Sequence, residues 1–249
     1  MRPLFSIITV TYNASQFLEQ TILSIISQSY RNIEFIVIDG NSTDGTQDII
    51  RKYESHIAYW ISEPDNGLYD AMNKGLAKAT GDYVWFINAG DEIYSPDTVA
   101  QFAAKLPETL PDIIYGETEI IDANGQSLGM RRLHAPEKLN WKSFRMGMLV
   151  CHQSFIVHRK IAPAYDLSYR YSSDIDWCIR CMKNAEFLFN SRLSLSKFRE
   201  GGMTTENRKA SLKERYLIMC KYYGKIPTQL RHIWFAFRFY SAKFLKGRV

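Results

Sequence analysis

A chain of 249 residues with 46% hydrophobic, 14% aromatic and 23% charged residues has the composition of a folded domain with a large core, which excludes a disordered chain and a highly charged coiled coil. Its formal charge of +5 is unevenly spread: from Arg208 onward eleven lysines and arginines stand against the single acid Glu214. The basic excess therefore belongs to the C-terminal stretch, and the rest of the chain is net acidic.

The longest apolar runs, Ile33 to Ile38 and Tyr83 to Ile87, are strand-sized and fall short of the roughly 20 residues a membrane helix needs. Behind Arg2 the apolar run Ile7 to Val10 lacks a small-residue cleavage site, so no signal peptide is read and a cytoplasmic location is expected. Cys151, Cys178, Cys181 and Cys220 are too few and scattered for a disulfide framework. Cys178 and Cys181 have no second pair to complete a zinc site and are assigned to the core.

In chain order, Leu4 to Thr11 is a β-branched, nearly continuous apolar run, the pattern of a strand covered on both faces. A helix is predicted over about Ser15 to Gln28, where Leu18, Ile22, Ile25 and Ile26 recur at helical spacing. A second buried strand, Ile33 to Asp39, leads through the polar turn Gly40 to Gly45 into a helix carrying Ile49 and Ile50. Ala58 to Ser62 reads as a third strand. Leu68, Ala71, Met72, Leu76 and Ala79 mark the next helix face, and Tyr83 to Asn88 a fourth strand. Strands alternating with helices imply right-handed βαβ crossovers and a mostly parallel sheet.

Ligands of such sheets bind beyond the carboxyl ends of the strands, and there the sequence concentrates polar residues. Thr11, Tyr12 and Asn13 follow the first strand, Asp39 the second, Glu63 and Asp65 the third, and Asn88 and Asp91 the fourth. Asp91 reads two ways. A carboxylate after Ala89 and Gly90 suits a divalent cation and a diphosphate, and it equally suits a turn or helix cap.

Further on, Tyr115 to Ile121 and Ser127 to Arg131 form a predicted hairpin about Asn124 and Gly125. Cys151 to Val157 is predicted as a strand, and Asp174 to Asn184 as a helix. Asp174 and Asp176 lie two residues apart, so only one can face a given neighbour. The last segment, Thr228 to Lys246, mixes Trp234, Phe235 and Phe237 with cations and no acid. That is the composition of an interfacial helix on anionic lipid or of a helix packed on protein. No nucleic-acid-binding module is present, so nucleic acid is not an expected partner.

Five stretches carry a resemblance: Phe5 to Asn13 (FSIITVTYN), Phe35 to Thr46 (FIVIDGNSTDGT), Glu63 to Gly75 (EPDNGLYDAMNKG), Gly81 to Asp91 (GDYVWFINAGD) and Ser172 to Arg180 (SSDIDWCIR). In this order they resemble the inverting family 2 of nucleotide-sugar glycosyltransferases. The resemblance implies an α/β GT-A (Rossmann-like) fold over residues 1–207, with a donor half over 1–95, an acceptor half over 96–207 and a helical tail over 208–249.

It further implies that Thr11, Tyr12 and Asn13 line the nucleoside pocket, that Asp39 accepts a hydrogen bond from the base, and that Asp65, Asn73 and Asn88 lie on the donor side. Asp91 would hold Mg²⁺ or Mn²⁺, with His152 as a further ligand or a plain strand-end histidine. Asp174 would be the base for the acceptor hydroxyl, or else a helix cap. Ala89, Gly90 and Asp91 stand where many relatives have Ser-Asp-Asp, so one metal carboxylate is kept. Gly201 and Gly202, next to Thr204 and Thr205, match a segment that closes over the diphosphate or is a surface loop.

The implied partners are a nucleotide-sugar donor, with UDP favoured by family habit, a glycan or lipid-linked acceptor, and the inner face of the cell membrane. A sugar nucleotidyltransferase or dinucleotide oxidoreductase would carry a glycine-rich loop after the first strand, and Thr11 to Ser15 has no glycine. A non-catalytic nucleotide-sugar scaffold stays open, because only one metal carboxylate is retained.

Overall fold

The computed structural model describes residues 2–202 and 207–234. Its centre is a parallel unit. β1 (Phe5–Thr11) lies between β2 (Ile33–Asp39) and β4 (Tyr83–Phe86), and β3 (Tyr59–Ser62) flanks β2. The register sets Thr11 level with Asp39, and Asp39 level with Ser62. Three polar side chains predicted or found at the site thus share one row at the carboxyl ends of the strands.

Beyond β4 the sheet becomes mixed. β8 (Phe155–His158) is antiparallel to β4, and β6 (Ile113–Ile121) is antiparallel to β8. β9 (Leu188–Arg199) then runs parallel to β6, β5 (Glu92–Ile93) forms the edge, and β7 (Ser127–Met130) makes a hairpin with β6.

Alternate residues of the central strands point to opposite sides, and both sides are covered. Ile8, Val10, Ile36, Ile38, Val84 and Phe86 pack on one face against α3 (Leu68–Lys78), α5 (Ser173–Asn184) and α6 (Arg208–Tyr223). Phe5, Ile7, Phe35, Val37, Tyr83 and Trp85 pack on the other against α1 (Leu18–Ile26), α2 (Thr46–Lys52) and α4 (Thr98–Ala103). Each fully buried large apolar side chain contributes roughly 1.5–3 kcal/mol. The two apolar layers cover both faces of the sheet and leave its polar strand ends at the rim. Cys178 and Cys181 are fully buried in the first layer, as their sequence context implies.

Where the sequence predicts an unbroken strand from Cys151 to Val157, the chain instead makes a 3₁₀ turn at His152–Ser154 before β8 begins. The turn lets Trp85 Nε1 donate to the Gln153 carbonyl (2.8 Å) and swings the Gln153 side chain toward the carboxyl end of β4. β5, β9 and α4 have no counterpart in the sequence reading. At the C-terminal side, Asp176 is fully buried on α5. It accepts from Arg180 Nε (2.6 Å), Lys221 Nζ (2.9 Å) and Tyr222 Oη (2.8 Å), so one carboxylate ties α5 to α6. Residues 225–234 are helical, and the remainder of the predicted tail lies outside the described residues, as do Thr204 and Thr205.

Candidate active site

Four strand-end loops meet on one rim. The loop after β1 is latched to the loop after β2. The Asn13 N–H donates to Ser42 Oγ (2.8 Å), Asn13 Oδ1 accepts from the Thr43 N–H (3.0 Å), and the Ala14 N–H donates to Thr46 Oγ1 (2.9 Å). Asn13 adopts φ +46°, which a short polar side chain tolerates. These bonds leave the Tyr12 ring 65% exposed at the rim. Asp39 beneath it is 0% exposed. Its Oδ1 accepts from Ser42 Oγ, and its Oδ2 accepts from the Ser42 N–H (2.9 Å) and Ser62 Oγ (2.6 Å). Asp65, after β3, uses Oδ1 to accept the Gly67 N–H (2.8 Å).

The loop after β4 forms the opposite corner. Gly90 has φ +101°, a conformation that strains any L side chain. Thr21 on α1 pins the turn from below, accepting the Gly90 N–H (2.9 Å) and donating to the Asp91 carbonyl (2.7 Å). Arg199 pins it from the end of β9: its Nε donates to the Gly90 carbonyl (3.0 Å), and its guanidinium also reaches the carbonyls of Asp122 and Ala123 (both 2.7 Å). The Asp91 carboxylate is 5% exposed. One oxygen accepts from Gln153 Nε2 (2.8 Å), the other from the Arg199 N–H (3.1 Å).

Burial pushes the Asp91 carboxyl up to about 7, against the opposing pull of the Arg199 N–H and the Gln153 amide. A carboxyl raised in the fold holds its proton more tightly there than when unfolded. The stabilisation is complete below its unfolded value of 3.8 and is lost as pH rises through about 7. Asp91→Asn removes this dependence. From pH 5 to pH 8 the wild type should lose on the order of 2 kcal/mol relative to the variant, read from urea unfolding curves. Parallel curves at both pH values would contradict the raising of the Asp91 carboxyl by burial.

Between Asp91 and α5 runs the segment Cys151–Gln153. Cys151 Sγ donates to Gln153 Oε1 (3.0 Å). Burial raises the Cys151 thiol to about 11, and the charges of both Asp91 and Asp174 add to that rise, with Arg131 opposing it. Both carboxylates therefore act electrostatically on the same thiol. Asp174 occupies the first turn of α5, whose N-cap is Ser172. The Asp174 carboxylate is half-buried, and its Oδ1 accepts from Tyr69 Oη (3.1 Å), a hydroxyl on α3. Asp176, facing the other way, is consumed by Arg180 and α6.

Two predicted site residues are committed elsewhere. Asn73 spends both ends of its amide on the backbone of Tyr165 (3.0 and 2.7 Å), tying α3 to the loop before α5. His152 Nε2 pairs with Tyr165 Oη (2.7 Å) among the rings of Phe86 and Trp177. Burial lowers His152 to about 4, so the imidazole is neutral at pH 7. The sequence alone does not single out Gln153, Ser42, Ser62, Tyr69 or Arg199. No local pattern marks them, because each acts on a residue distant in the chain or on the opposite side of a turn.

Two polar atoms on this rim are buried without a hydrogen-bond partner, Thr11 Oγ1 and Asn88 Oδ1. Asn88 belongs to the same turn as Asp91, whose N–H donates to the Asn88 carbonyl (2.9 Å). A buried polar atom without a protein partner calls for a water, an ion or a ligand to satisfy it. The oxygens of Asn88 and Asp91 suit a hard divalent cation. Among the described residues no group of three or more His, Cys, Asp or Glu could hold a metal alone. The donor set therefore fits an ion whose other ligands come from substrate phosphates.

Comparison with known proteins agrees with this architecture. A PGL/p-HBAD biosynthesis glycosyltransferase of Mycobacterium bovis is 35% identical over 190 residues, covering 73% of this chain and 71% of the relative. Staphylococcus aureus TarS 1–349, solved in complex with UDP-GlcNAc, superposes with TM-score 0.69 at 18% identity, over 87% of this chain and 66% of that one. The mannosyltransferase PcManGT of Pyrobaculum calidifontis, solved with GDP-Man and Mn²⁺, superposes with TM-score 0.63 at 16% identity, over 89% and 65%. The chain spans about two thirds of these solved chains, and the shared fold is GT-A. The family model for glycosyl transferase family 2 matches residues 6–163, which takes in β1 to β4, the loops at their ends and the Cys151–Gln153 segment, and the chain belongs to that family.

Proposed function

We propose that the chain transfers a sugar from a nucleoside diphosphate donor, with inversion, to a hydroxyl of a glycan or lipid-linked acceptor in surface polysaccharide or glycolipid synthesis. The observation that carries this reading is the gathering at the carboxyl ends of the strands of exposed Tyr12, orphaned Thr11 and Asn88 and buried Asp91, with half-buried Asp174 tied to α3 through Tyr69. Thr11, Tyr12 and Asn13, with the carboxylates of Asp39 and Asp65, surround the nucleoside. Asn88 and Asp91 would hold Mg²⁺ or Mn²⁺, which when bound neutralises charge on the diphosphate. UDP is the favoured nucleotide, in keeping with TarS.

Asp174 takes the proton of the acceptor hydroxyl as its oxygen bonds to the anomeric carbon, and the bond from that carbon to the phosphate oxygen breaks with its electron pair leaving on the nucleoside diphosphate. Tyr69 donates to Oδ1 and thereby leaves Oδ2 for the incoming proton. The half-buried setting limits water at the attacking position. Incubation with a panel of UDP- and GDP-sugars and saccharide or polyprenyl-linked acceptors should release nucleoside diphosphate only when acceptor is present. The product should have the anomeric configuration opposite to the donor's by NMR, and retention would overturn the mechanism.

The lipid-linked alternative for the acceptor has its own support. On the helix over residues 225–234, Ile226, Leu230 and Ile233 are 71%, 63% and 66% exposed at i, i+4 and i+7, a single face. Lys225 and Arg231 lie on the same segment, and no acid follows Glu214. Such a face suits an anionic membrane surface. Changing all three to serine should reduce co-sedimentation with phosphatidylglycerol-containing liposomes by at least about ten-fold. Unchanged binding would remove the membrane from the proposal. Among the described residues no helix is long and apolar enough to cross a membrane.

A further inference from the structure

Trp141 gathers three cations and no carboxylate. Its ring stacks on Tyr223 of α6, with the centroids 5.8 Å apart and 9° between the planes, and Tyr223 Oη donates to the Trp141 carbonyl. Lys142 Nζ and Lys183 Nζ each lie 5.6 Å from the centre of the indole ring. The Arg145 guanidinium lies 5.9 Å from that ring and 5.4 Å from the ring of Tyr223. Among the described residues no carboxylate pairs with any of these three side chains, and Arg145 Nε is buried without an acceptor. Burial raises the Tyr223 hydroxyl above its ordinary range, and the positive fields of Arg145 and Arg231 oppose that rise, so a fourth cation acts on the same stack.

Cation–π contact offsets part of the cost of bringing these charges together, yet like charges around one ring still repel. A guanidinium with no protein acceptor beside two ammonium groups is a donor set suited to a phosphate. The cluster is turned away from the proposed base. On α5, Lys183 follows Asp174 by nine residues, about two and a half turns, so the two point to opposite sides. Asp176, on the Lys183 side, is already shared by Arg180, Lys221 and Tyr222. What adjoins the cluster is the helix over residues 225–234, which follows Tyr223 through the turn at Gly224 (φ +86°). Thr228 Oγ1 donates to the Met219 carbonyl (3.2 Å) and fixes that helix on the end of α6. Unpaired cations next to the exposed face of Ile226, Leu230 and Ile233 match the two levels of a lipid surface, phosphate above and acyl chain below.

We propose that Lys142, Arg145 and Lys183, set around the Trp141–Tyr223 stack, bind the phosphate of an anionic membrane phospholipid, with Arg231 beside it. This headgroup site is separate from the rim where sugar transfer takes place. The proposal rests on the membrane reading of the 225–234 face and turns a general attraction into a discrete site.

Flotation of the full chain with phosphatidylglycerol-containing vesicles tests this. Lys142→Gln/Lys183→Gln removes two exposed lysines, leaves the aromatic stack in place, and should lower the partition coefficient by roughly 10- to 30-fold. Arg145→Gln should lower it by a similar factor. Arg51→Gln/Lys105→Gln removes the same charge from the opposite layer, on α2 and just after α4, and should lower it by less than about three-fold. Inorganic phosphate at constant ionic strength should not displace the vesicles, since it lacks the acyl chains that the apolar face would meet; displacement would assign the site to a soluble anion and overturn the lipid assignment. Wild-type partition in Lys142→Gln/Lys183→Gln, or equal losses in the two double variants, would overturn the site. If only the serine changes at Ile226, Leu230 and Ile233 abolish binding, the headgroup site falls and the membrane reading stands. A wild type that floats with no vesicle would sink both.

Discussion

Asp174→Asn should lower the turnover of sugar transfer by about 10²- to 10⁴-fold while leaving the Kd for nucleoside diphosphate within about two-fold. The split follows from geometry. Asp174 sits in the first turn of α5 with one oxygen held by Tyr69 of α3, whereas the residues proposed to surround the nucleoside lie on the loops after β1, β2 and β3. Asparagine is nearly isosteric and can still accept from Tyr69, so the helix start should persist and only the proton acceptor is lost. A large rise in Kd with little change in turnover would place Asp174 on the donor rather than on the acceptor hydroxyl. Full activity would remove it from the reaction.

Asp176→Ala should act on stability instead. The carboxylate is 0% exposed and receives Arg180, Lys221 and Tyr222. Its removal leaves two cations and a hydroxyl without their shared acceptor. Deleting one partner of a buried ion pair typically costs about 3–5 kcal/mol. Arg180 and Lys221 are 26% and 45% exposed and can be partly rehydrated, so roughly 3 kcal/mol is expected here. For a domain of this size that lowers Tm by about 6–12 °C. α6 should loosen first, seen as faster amide exchange over Arg208–Tyr223 than over the β1–β4 strands. An unchanged Tm would show that α6 is not held through this carboxylate.

The two aspartates show what the sequence discloses and what it withholds. Helical spacing alone says that Asp174 and Asp176 diverge, which is how the structure places them. It does not disclose that Asp176 is claimed by Lys221 and Tyr222, because those residues lie in a basic stretch with no local sign of packing. β1, β2 and β4 are legible since strands covered on both faces are written as unbroken apolar runs. β9 is not, because Leu188–Arg199 alternates serine, asparagine and cations with its apolar residues and shifts register against β6.

For the same reason the arginine that clamps the Gly90 carbonyl was invisible as such. Arg199 reaches that corner only through the sheet order, more than a hundred positions along the chain. His152 and Asn73 illustrate the converse. Their residue types suggest ligands, yet Tyr165 takes one ring nitrogen of His152 and the whole Asn73 amide. A polar side chain near a strand end can serve the loop as readily as the substrate.

The central claim is that this rim binds a nucleoside diphosphate sugar. Its most direct test is thermal denaturation of the full chain with UDP-, GDP- and CDP-sugars and with NAD, each with and without Mn²⁺. At about 100 times Kd a bound ligand adds roughly 2.7 kcal/mol, so the cognate nucleotide sugar should raise Tm by about 5–10 °C. Mn²⁺ alone should shift Tm little and should increase the shift produced by the nucleotide. Stabilisation by NAD alone, or by none of these ligands, would contradict the account.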